Sequence, residues 1–270
     1  MEKVKINMMG GGFQHDICSS AGNIPEFLEW DKKGNADISM YIDDAMYWPV
    51  DKTKKNYAWI LESSEYIPHL IRRISNDISQ LETKFELIFT HDKRLVGLSN
   101  KIRLTICNAV PWVMDRKIHN KTKLVSMIGS SDKFFGGHIY RHQIMEKFRG
   151  QMDCFGAGHN YITKKEEGLN DYCFSIAMEN GNYPNIFCEK VTDCFATGTI
   201  PIFWGTPTIG EFFNEKGIIT LTNDFKIEDL STDLYYSKME YIKENFERAI
   251  NLPTAEDYIY INHIKRFTQY

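Results

Sequence analysis

Short apolar runs recur along the chain and alternate with stretches in which apolar residues return every three or four positions. The runs have the length of buried β-strands, and the spaced stretches are typical of amphipathic helices. The predicted strands are Lys3–Met9, Ala36–Asp43, Tyr57–Leu61, Glu86–Thr90, Lys123–Ile128, Met152–Phe155, Tyr172–Met178, Thr199–Trp204 and Ile218–Leu221. The predicted helices are Ile67–Phe85, Ile139–Phe148, Phe187–Thr197, Leu234–Ile250 and Tyr258–Phe267.

Strand–helix–strand units of this kind predict parallel strands joined by helical crossovers, and therefore an α/β fold. The pattern divides into two β/α halves, which predict two Rossmann-like sheets facing each other. We expect one domain at residues 1–118, a second at 119–250 and a C-terminal helix at 251–270. The stretch 94–120 has weak periodicity and is expected to hold short strands and the passage between the halves.

Composition narrows the class of protein. The 270 residues are 43% hydrophobic and 25% charged with a formal net charge of −4, typical of a soluble globular protein without an electrostatic case for nucleic acid. The six cysteines form no CxxC pair, which favours reduced thiols and a cytoplasmic location. The N-terminus lacks the apolar segment of a signal peptide, and no run is long enough to be a membrane span.

Two local features have more than one interpretation. Gly10-Gly11-Gly12 follows the first predicted strand, where it serves either a flexible turn or the close approach of a ligand. Lys190 stands at the start of a predicted helix, where the helix dipole disfavours a cation. Either a bound phosphate or a neighbouring carboxylate would account for this lysine.

The segment from Asp171 to Leu221 combines several motifs. A strand ends in Met178-Glu179-Asn180, a loop leads to Ile186-Phe187-Cys188-Glu189-Lys190, and a helix leads to Ile200-Pro201-Ile202-Phe203-Trp204-Gly205. This order resembles family 10 of the glycosyltransferases, the α-1,3/1,4-fucosyltransferases. Cys188 and Ile186 stand where the family usually has Thr and Tyr, at the donor end of the site.

The resemblance implies an inverting, metal-independent glycosyltransferase of the two-domain GT-B architecture, with GDP-β-L-fucose as donor and a glycan hydroxyl as acceptor. It extends upstream to Gly136–Arg141, so that Arg141 and Lys190 would neutralise the donor pyrophosphate in place of a metal. Glu189, Asn180 and Glu179 would contact ribose or sugar hydroxyls, and Glu179 could instead support the charge that develops on the sugar. An exposed surface arginine is the alternative for Arg141.

In the first half, Tyr57–Ser63 resembles the strand that presents the family's proposed general base. Glu62 ends that strand at the edge where open α/β sheets place ligand groups. Its alternative role is to cap the next helix, in which case Glu65 becomes the candidate base. His91 and Asp92 also end a strand and form either a second polar site or a plain turn.

Several absences restrict the alternatives. The sequence has no Asp-x-Asp metal–nucleotide motif, no His-rich zinc cluster, no Walker loop and no dinucleotide fingerprint. We therefore expect no metal and no other cofactor, and no transmembrane segment, with peripheral membrane contact only for a lipid-linked acceptor. A transferase for another nucleotide sugar and a non-catalytic glycan-binding protein of the same fold stay open.

Overall fold

The computed structural model describes residues 2–10, 13, 17–107 and 109–265. It divides the chain into two compact units. Unit 1 contains Met1–Ala109, Pro184–Ile186 and Pro253–Tyr270, and unit 2 contains Val110–Tyr183 and Phe187–Leu252. The division falls between Ala109 and Val110, before the boundary expected at residue 118, and the C-terminal segment belongs to unit 1.

Unit 1 is built on a parallel sheet that, in the described part of the chain, has the strand order β2-β1-β3-β4-β5-β6. Its strands are β1 (Val4–Met9), β2 (Leu28–Asp31), β3 (Ile38–Ile42), β4 (Lys55–Ile60), β5 (Ile88–Thr90) and β6 (Ile102–Leu104). β3 and β4 are buried almost throughout because both faces of these central strands are covered.

Helix α1 (Pro68–Glu82) confirms the amphipathic stripe. Pro68 occupies the first helical turn, where its missing N–H costs nothing. The stripe residues Leu70, Ile74 and Leu81 are buried in a cluster with Ile60 and Ile88. A short helix, α2 (Lys93–Val96), follows β5 and was not predicted because it is a single turn.

Unit 2 is also built on a parallel sheet, with the order β11-β10-β9-β7-β8. Its strands are β7 (Lys123–Ile128), β8 (Asp153–Phe155), β9 (Tyr172–Met178), β10 (Ile200–Trp204) and β11 (Ile219–Thr220). Every residue of the central strand β9 is buried. Parallel sheets in both units confirm the predicted α/β class.

The helices of unit 2 are α3 (Gly136–Lys147), α4 (Glu189–Ala196), α5 (Thr232–Ser237) and α6 (Met239–Ile250). The single helix predicted for 234–250 is therefore two, divided at Lys238. Gly198 ends α4 in the left-handed region at φ 71°, as its position after the helix predicts. Within the described residues no helix has both the length and the apolar composition to cross a bilayer.

The C-terminal segment returns to unit 1 as α7 (Ala255–Ile259) and one π-helical turn, Tyr260–Ile264. It starts earlier than the predicted helix Tyr258–Phe267, whose last two residues lie outside the described residues. Ala255, Ile259 and Ile264 pack into the core formed by β1, β3 and β4. Gly11 and Gly12 of the glycine run also lie outside the described residues. Gly10 follows β1 and lies close to the end of β3.

Each sheet has one position at which the chain reverses its direction of strand addition. In unit 1 this switch point lies between β1 and β3, and in unit 2 it lies between β7 and β9. The crevice outside the carboxyl ends of the strands at such a point is where open α/β sheets bind ligands.

Candidate active site

A cavity of about 370 Å³ opens at the switch point of unit 2. Its walls come from the ends of β7 and β9 and from the first turns of α3 and α4. The side chains and backbone that line it are Ile128, Gly129, Ser130, His138, Arg141, Ala157, Lys165, Leu169, Ser175, Ile176, Ala177, Met178, Asn180, Glu189, Lys190, Asp193 and Cys194. Its volume suits a small ligand, and charged and polar side chains, among them Arg141, Glu189 and Lys190, are part of a mainly apolar lining.

Arg141 lies in the first half of α3 and is only 4% exposed. Its Nη2 donates to the carbonyl oxygen of Met178 at 3.0 Å and to Oδ1 of Asn180 at 3.3 Å, both neutral acceptors. Among the described residues it forms no salt bridge with a carboxylate. Burial lowers the pKa of Arg141, but a guanidinium stays charged in proteins. Among the described residues Arg141 is therefore a buried cation of the cavity wall that hydrogen-bonds only neutral groups, which makes it a candidate for binding an anionic ligand.

Lys190 lies in the first turn of α4 and has carboxylate neighbours. Its Nζ donates to Sγ of Cys188 at 2.8 Å and lies 3.6 Å from Oε2 of Glu179 and 3.8 Å from Oε1 of Glu189. Burial opposes its charge, but the Cys188 sulfur and the two carboxylates outweigh burial and raise the pKa of Lys190. The carboxylate alternative considered for this lysine is therefore present in the structure.

Glu179 follows β9 and is 3% exposed. Its Oε1 accepts the backbone N–H of Cys188 at 2.9 Å, and its Oε2 accepts the Cys188 thiol at 2.9 Å. Burial, followed by the charges of Glu179 and Glu189, raises the pKa of Cys188, so this thiol is a neutral donor. Glu179 is not among the residues that line the cavity, and its carboxylate holds the start of α4.

Glu189 lines the cavity and shares Lys165 with Asp193. The Nζ of Lys165 lies 3.0 Å from Oε1 of Glu189 and 2.7 Å from Oδ2 of Asp193, and 4.5 Å from the ring centre of Trp112. Burial favours the neutral carboxyl of Glu189, but Lys190 and Lys165 outweigh it and lower its pKa. Glu189 is therefore a fixed anion that can accept hydrogen bonds from hydroxyl groups.

Asn180 positions the first turn of α3. A Cβ added to Gly137 would lie 2.3 Å from the backbone oxygen of Asn180, so only glycine permits this approach. No side chain caps the helix, whose N-cap residue is Phe135. Among the described residues, the N–H groups before Ile139 thus have no side-chain cap, and such a helix start favours an anion.

His138 contributes a neutral polar group to the cavity. It is 8% exposed, and its Nδ1 is buried with no hydrogen-bond partner in the described part of the chain. Burial and the nearby Arg141 lower its pKa. A neutral imidazole nitrogen here can take part in one hydrogen bond with a bound molecule.

Glu62 belongs to unit 1 and follows β4 with an exposed side chain. Its backbone N–H donates to Oδ1 of Asp43 at 3.3 Å. Glu65 is half-buried one turn further along. Asp92 caps α2 and pairs with Arg94, which supports the plain-turn interpretation of that residue.

The structure brings together Arg141, Asn180, Glu189 and Lys190 at the cavity of unit 2. Glu179 does not line the cavity and contacts Lys190 and Cys188 at the start of α4. Sequence reasoning missed Lys165, Asp193 and His138. Lys165 begins a short 3-10 helix, Lys165–Gly168, in a stretch without periodicity, so no pattern could have identified it. His138 stands three residues before Arg141 in the same helix. Within the described residues, no group of three or more His, Cys, Asp or Glu side chains could hold a metal ion.

Comparison with known proteins shows what the second half of the chain is similar to. Residues 118–247 match the profile of the glycosyltransferase family 10 (fucosyltransferase) C-terminal domain. An α-(1,3)-fucosyltransferase of Helicobacter pylori is 32% identical over 109 residues, which are 39% of this chain and 22% of that protein. A putative fucosyltransferase of Acanthamoeba polyphaga mimivirus is 30% identical over 146 residues, 46% of this chain and 22% of that protein.

The matched segments thus span about a fifth of these relatives. Among solved structures, an α1,3-fucosyltransferase with GDP-fucose covers 93% of this chain and 82% of its own at 14% identity, with a TM-score of 0.50. At that identity the likeness concerns the fold. All the residues that line the cavity of unit 2 lie within 118–247, the segment that matches the profile of glycosyltransferase family 10, the fucosyltransferases.

Proposed function

We propose that the protein is an inverting α-1,3/1,4-fucosyltransferase of the GT-B architecture, which moves L-fucose from GDP-fucose to a glycan hydroxyl without a metal ion. The single observation that carries this proposal is the match of residues 118–247 to the family 10 profile, a segment whose cavity contains the buried guanidinium of Arg141. The fucosyltransferases among its relatives and the GDP-fucose bound to a structural neighbour support the choice of donor.

The donor pyrophosphate would lie against Arg141, Lys190 and the uncapped first turn of α3. Fixed cations and helix N–H groups stabilise the charge that appears on a departing nucleoside diphosphate. Arg141 would provide the larger share, because its guanidinium has no carboxylate partner among the described residues whereas Lys190 already neutralises Glu179 and Glu189. Glu189 and Asn180 would accept and donate hydrogen bonds to ribose or sugar hydroxyls.

In the transfer step, the acceptor oxygen would attack the anomeric carbon of fucose while the bond from that carbon to the phosphate oxygen breaks. GDP leaves with the bonding electron pair, and the acceptor hydroxyl proton passes to the Glu62 carboxylate. Positive charge develops on the sugar ring, and the buried carboxylate of Glu179 would lower the energy of that state. Attack opposite the leaving group inverts the configuration.

Two alternatives have a different outcome in the same assay. A related transferase would release nucleoside diphosphate from another nucleotide sugar, and a glycan-binding protein would release none. Incubation of the protein with GDP-fucose, GDP-mannose and UDP-glucose, each with and without a pool of glycan acceptors, separates them. Of the three donors, we expect only GDP-fucose, incubated with acceptors, to give GDP release and fucosylated products. Excess chelator should not change this result.

Two arginines of the same region test the site: Arg141 lies in the cavity, and Arg149 is the matched control. Arg141→Ala should abolish most of the activity because it removes the buried cation. Arg149→Ala changes an exposed arginine that pairs with Glu146 just beyond α3, and it should keep the wild-type rate. Equal rates in the two variants would contradict the assignment of the cavity as the donor site.

A further inference from the structure

Two carboxylates follow adjacent parallel strands of unit 1 and are joined through the backbone. Asp43 follows β3 and Glu62 follows β4, strands paired in the register Ile42 to Trp59. Oδ1 of Asp43 accepts the N–H of Leu61 at 2.9 Å and the N–H of Glu62 at 3.3 Å. The Asp43 carboxylate therefore fixes the short piece of backbone from which the Glu62 side chain projects.

The backbone of Asp43 is itself unusual. Its φ of 49° lies in the left-handed region, which among the described non-glycine residues only Asn185 shares. Such a conformation costs about 1 kcal/mol and persists where the surroundings determine it, as they do at many functional sites. Here the two N–H groups at the end of β4 hold the carboxylate in place, so the strained turn serves the contact with Leu61 and Glu62.

Asp43 also lies at the position where a ligand is expected. The switch point of unit 1 falls between β1 and β3, and Asp43 is the first residue after β3. Gly10 at the end of β1 packs so closely that an added Cβ would lie 3.1 Å from the backbone oxygen of Ile42. Ligands of open α/β sheets bind outside the strand ends at this point.

The charges around Asp43 are mostly negative. Glu62 faces it from the end of β4 and Asp44 adjoins it, while His69 of α1 reaches Asp44 at 3.1 Å on the exposed side. In the described part of the chain no cation forms a salt bridge with Asp43, and its Oδ2 accepts no hydrogen bond. Burial first, and then Glu62 and Asp44, raise the pKa of Asp43 to about 7 against the effect of the two N–H bonds.

We propose that Asp43 is a positioning residue for the proton-accepting Glu62: it fixes the Leu61–Glu62 backbone, and once Asp43 is ionised its negative charge makes the Glu62 carboxylate a stronger proton acceptor. The second effect follows because two carboxylates that share one site disfavour each other's ionised form. This inference rests on the proposed function, in which Glu62 takes the proton of the acceptor hydroxyl. Asp43 itself neither touches the acceptor nor gains its proton.

The variant Asp43→Asn tests the charge of Asp43 separately from its two hydrogen bonds to the Leu61 and Glu62 backbone. The amide oxygen of asparagine can still accept both N–H groups, whereas the negative charge is lost. With GDP-fucose as donor, we expect the wild-type kcat/KM to rise with pH through about 7, the ionisation of Asp43. In Asp43→Asn this inflection should disappear and the rate above pH 8 should fall about tenfold, with GDP affinity unchanged. Asp43→Ala should also raise the KM for the acceptor, because the backbone is released.

Asp44→Asn is the matched control, since it removes the adjacent exposed carboxylate that contacts His69 and should keep the inflection. A readout independent of turnover completes the experiment. In carbon-13 NMR of labelled glutamate side chains, the Glu62 carboxyl signal of the wild type should show a step near pH 7, as Asp43 ionises beside it, and this step should be absent in Asp43→Asn. The same Glu62 curve in both proteins, or an unchanged pH profile in an active Asp43→Asn variant, overturns the inference. The step near pH 7 in a wild type that transfers no fucose upholds the coupling and rejects the proposed function.

Discussion

Lys165 and Asp193 form an ion pair with an Nζ to Oδ2 distance of 2.7 Å, and the Asp193 side chain is 2% exposed. The other oxygen of Asp193 accepts the N–H groups of Trp112 at 2.6 Å and Val113 at 3.0 Å. The pair thus ties the segment that opens unit 2 to helix α4, and α4 carries Glu189 and Lys190.

Removal of this lysine should destabilise the protein. Lys165→Met keeps the aliphatic stem but leaves Asp193 buried without its countercharge, a change that costs about 3 kcal/mol in comparable sites. Urea unfolding measures the free energy of unfolding. Lys164→Met replaces an exposed neighbouring lysine and should have little effect. The double variant Lys165→Met with Asp193→Asn should recover part of the loss, and a double variant no more stable than Lys165→Met would show that the charge of Asp193 is not the cause.

Two adjacent glycines offer a sharper test of the geometry around α3. Gly137→Ala places a Cβ against the backbone oxygen of Asn180, so the helix must move away from the end of β9. Gly136→Ala meets nothing within 4 Å. We expect Gly137→Ala to weaken GDP binding at least tenfold and to lower the melting temperature. Gly136→Ala should match the wild type or be slightly more stable, because alanine favours the helix. Similar behaviour of the two variants would refute the close packing of Gly137.

Cys188 should resist alkylation at neutral pH. Its thiol donates to Glu179, and burial together with two carboxylates raises its pKa, so little of the reactive thiolate is present. Mass spectrometry after treatment with iodoacetamide at pH 7.5 should find Cys188 unmodified in the native protein and modified after denaturation. Rapid modification of Cys188 in the native protein would contradict a neutral thiol.

The ionisation of Asp43 should also affect stability. Its folded-state pKa of about 7 lies above the ordinary value of 3.8, so between these values the folded protein binds a proton that the unfolded chain has lost. The free energy of unfolding therefore gains from Asp43 at low pH and loses that contribution as pH rises toward 7. Urea unfolding of the wild type and Asp43→Asn from pH 4.5 to 8 measures it. The wild type should lose stability relative to the variant as pH rises, and parallel curves would exclude a raised pKa.

The strands of the two sheets were predictable where they are central. β7 and β9 are runs whose bounds the apolar pattern predicted without error. β2 was not predicted, because only Leu28 and Trp30 of its four residues are apolar, and β6 lies in the stretch 94–120, where short strands were expected without bounds. The long helix expected at 234–250 breaks at Lys238, in a stretch where the apolar period continues through the turn. Periodicity indicates which face is buried, and it does not indicate a break in the helix.

The candidate site was predictable where its residues form a linear motif. Glu179, Asn180, Glu189 and Lys190 lie within one strand–loop–helix segment, so their proximity follows from the local chain. Lys165 and Asp193 are separated by 28 residues and meet only through the fold. Asp43 could have been found by the rule applied to Glu62, since both directly follow apolar runs at the carboxyl ends of strands.

The most direct test of the account is the affinity of the protein for GDP, measured by isothermal titration calorimetry in the wild type, Arg141→Ala and Arg149→Ala. A charge-assisted contact with the pyrophosphate contributes about 1.5–3 kcal/mol, so Arg141→Ala should weaken GDP binding by about tenfold to a hundredfold. Arg149→Ala should bind GDP as the wild type does. If Arg141→Ala binds GDP with wild-type affinity, or if the folded wild type binds no GDP, the cavity of unit 2 is not the donor site.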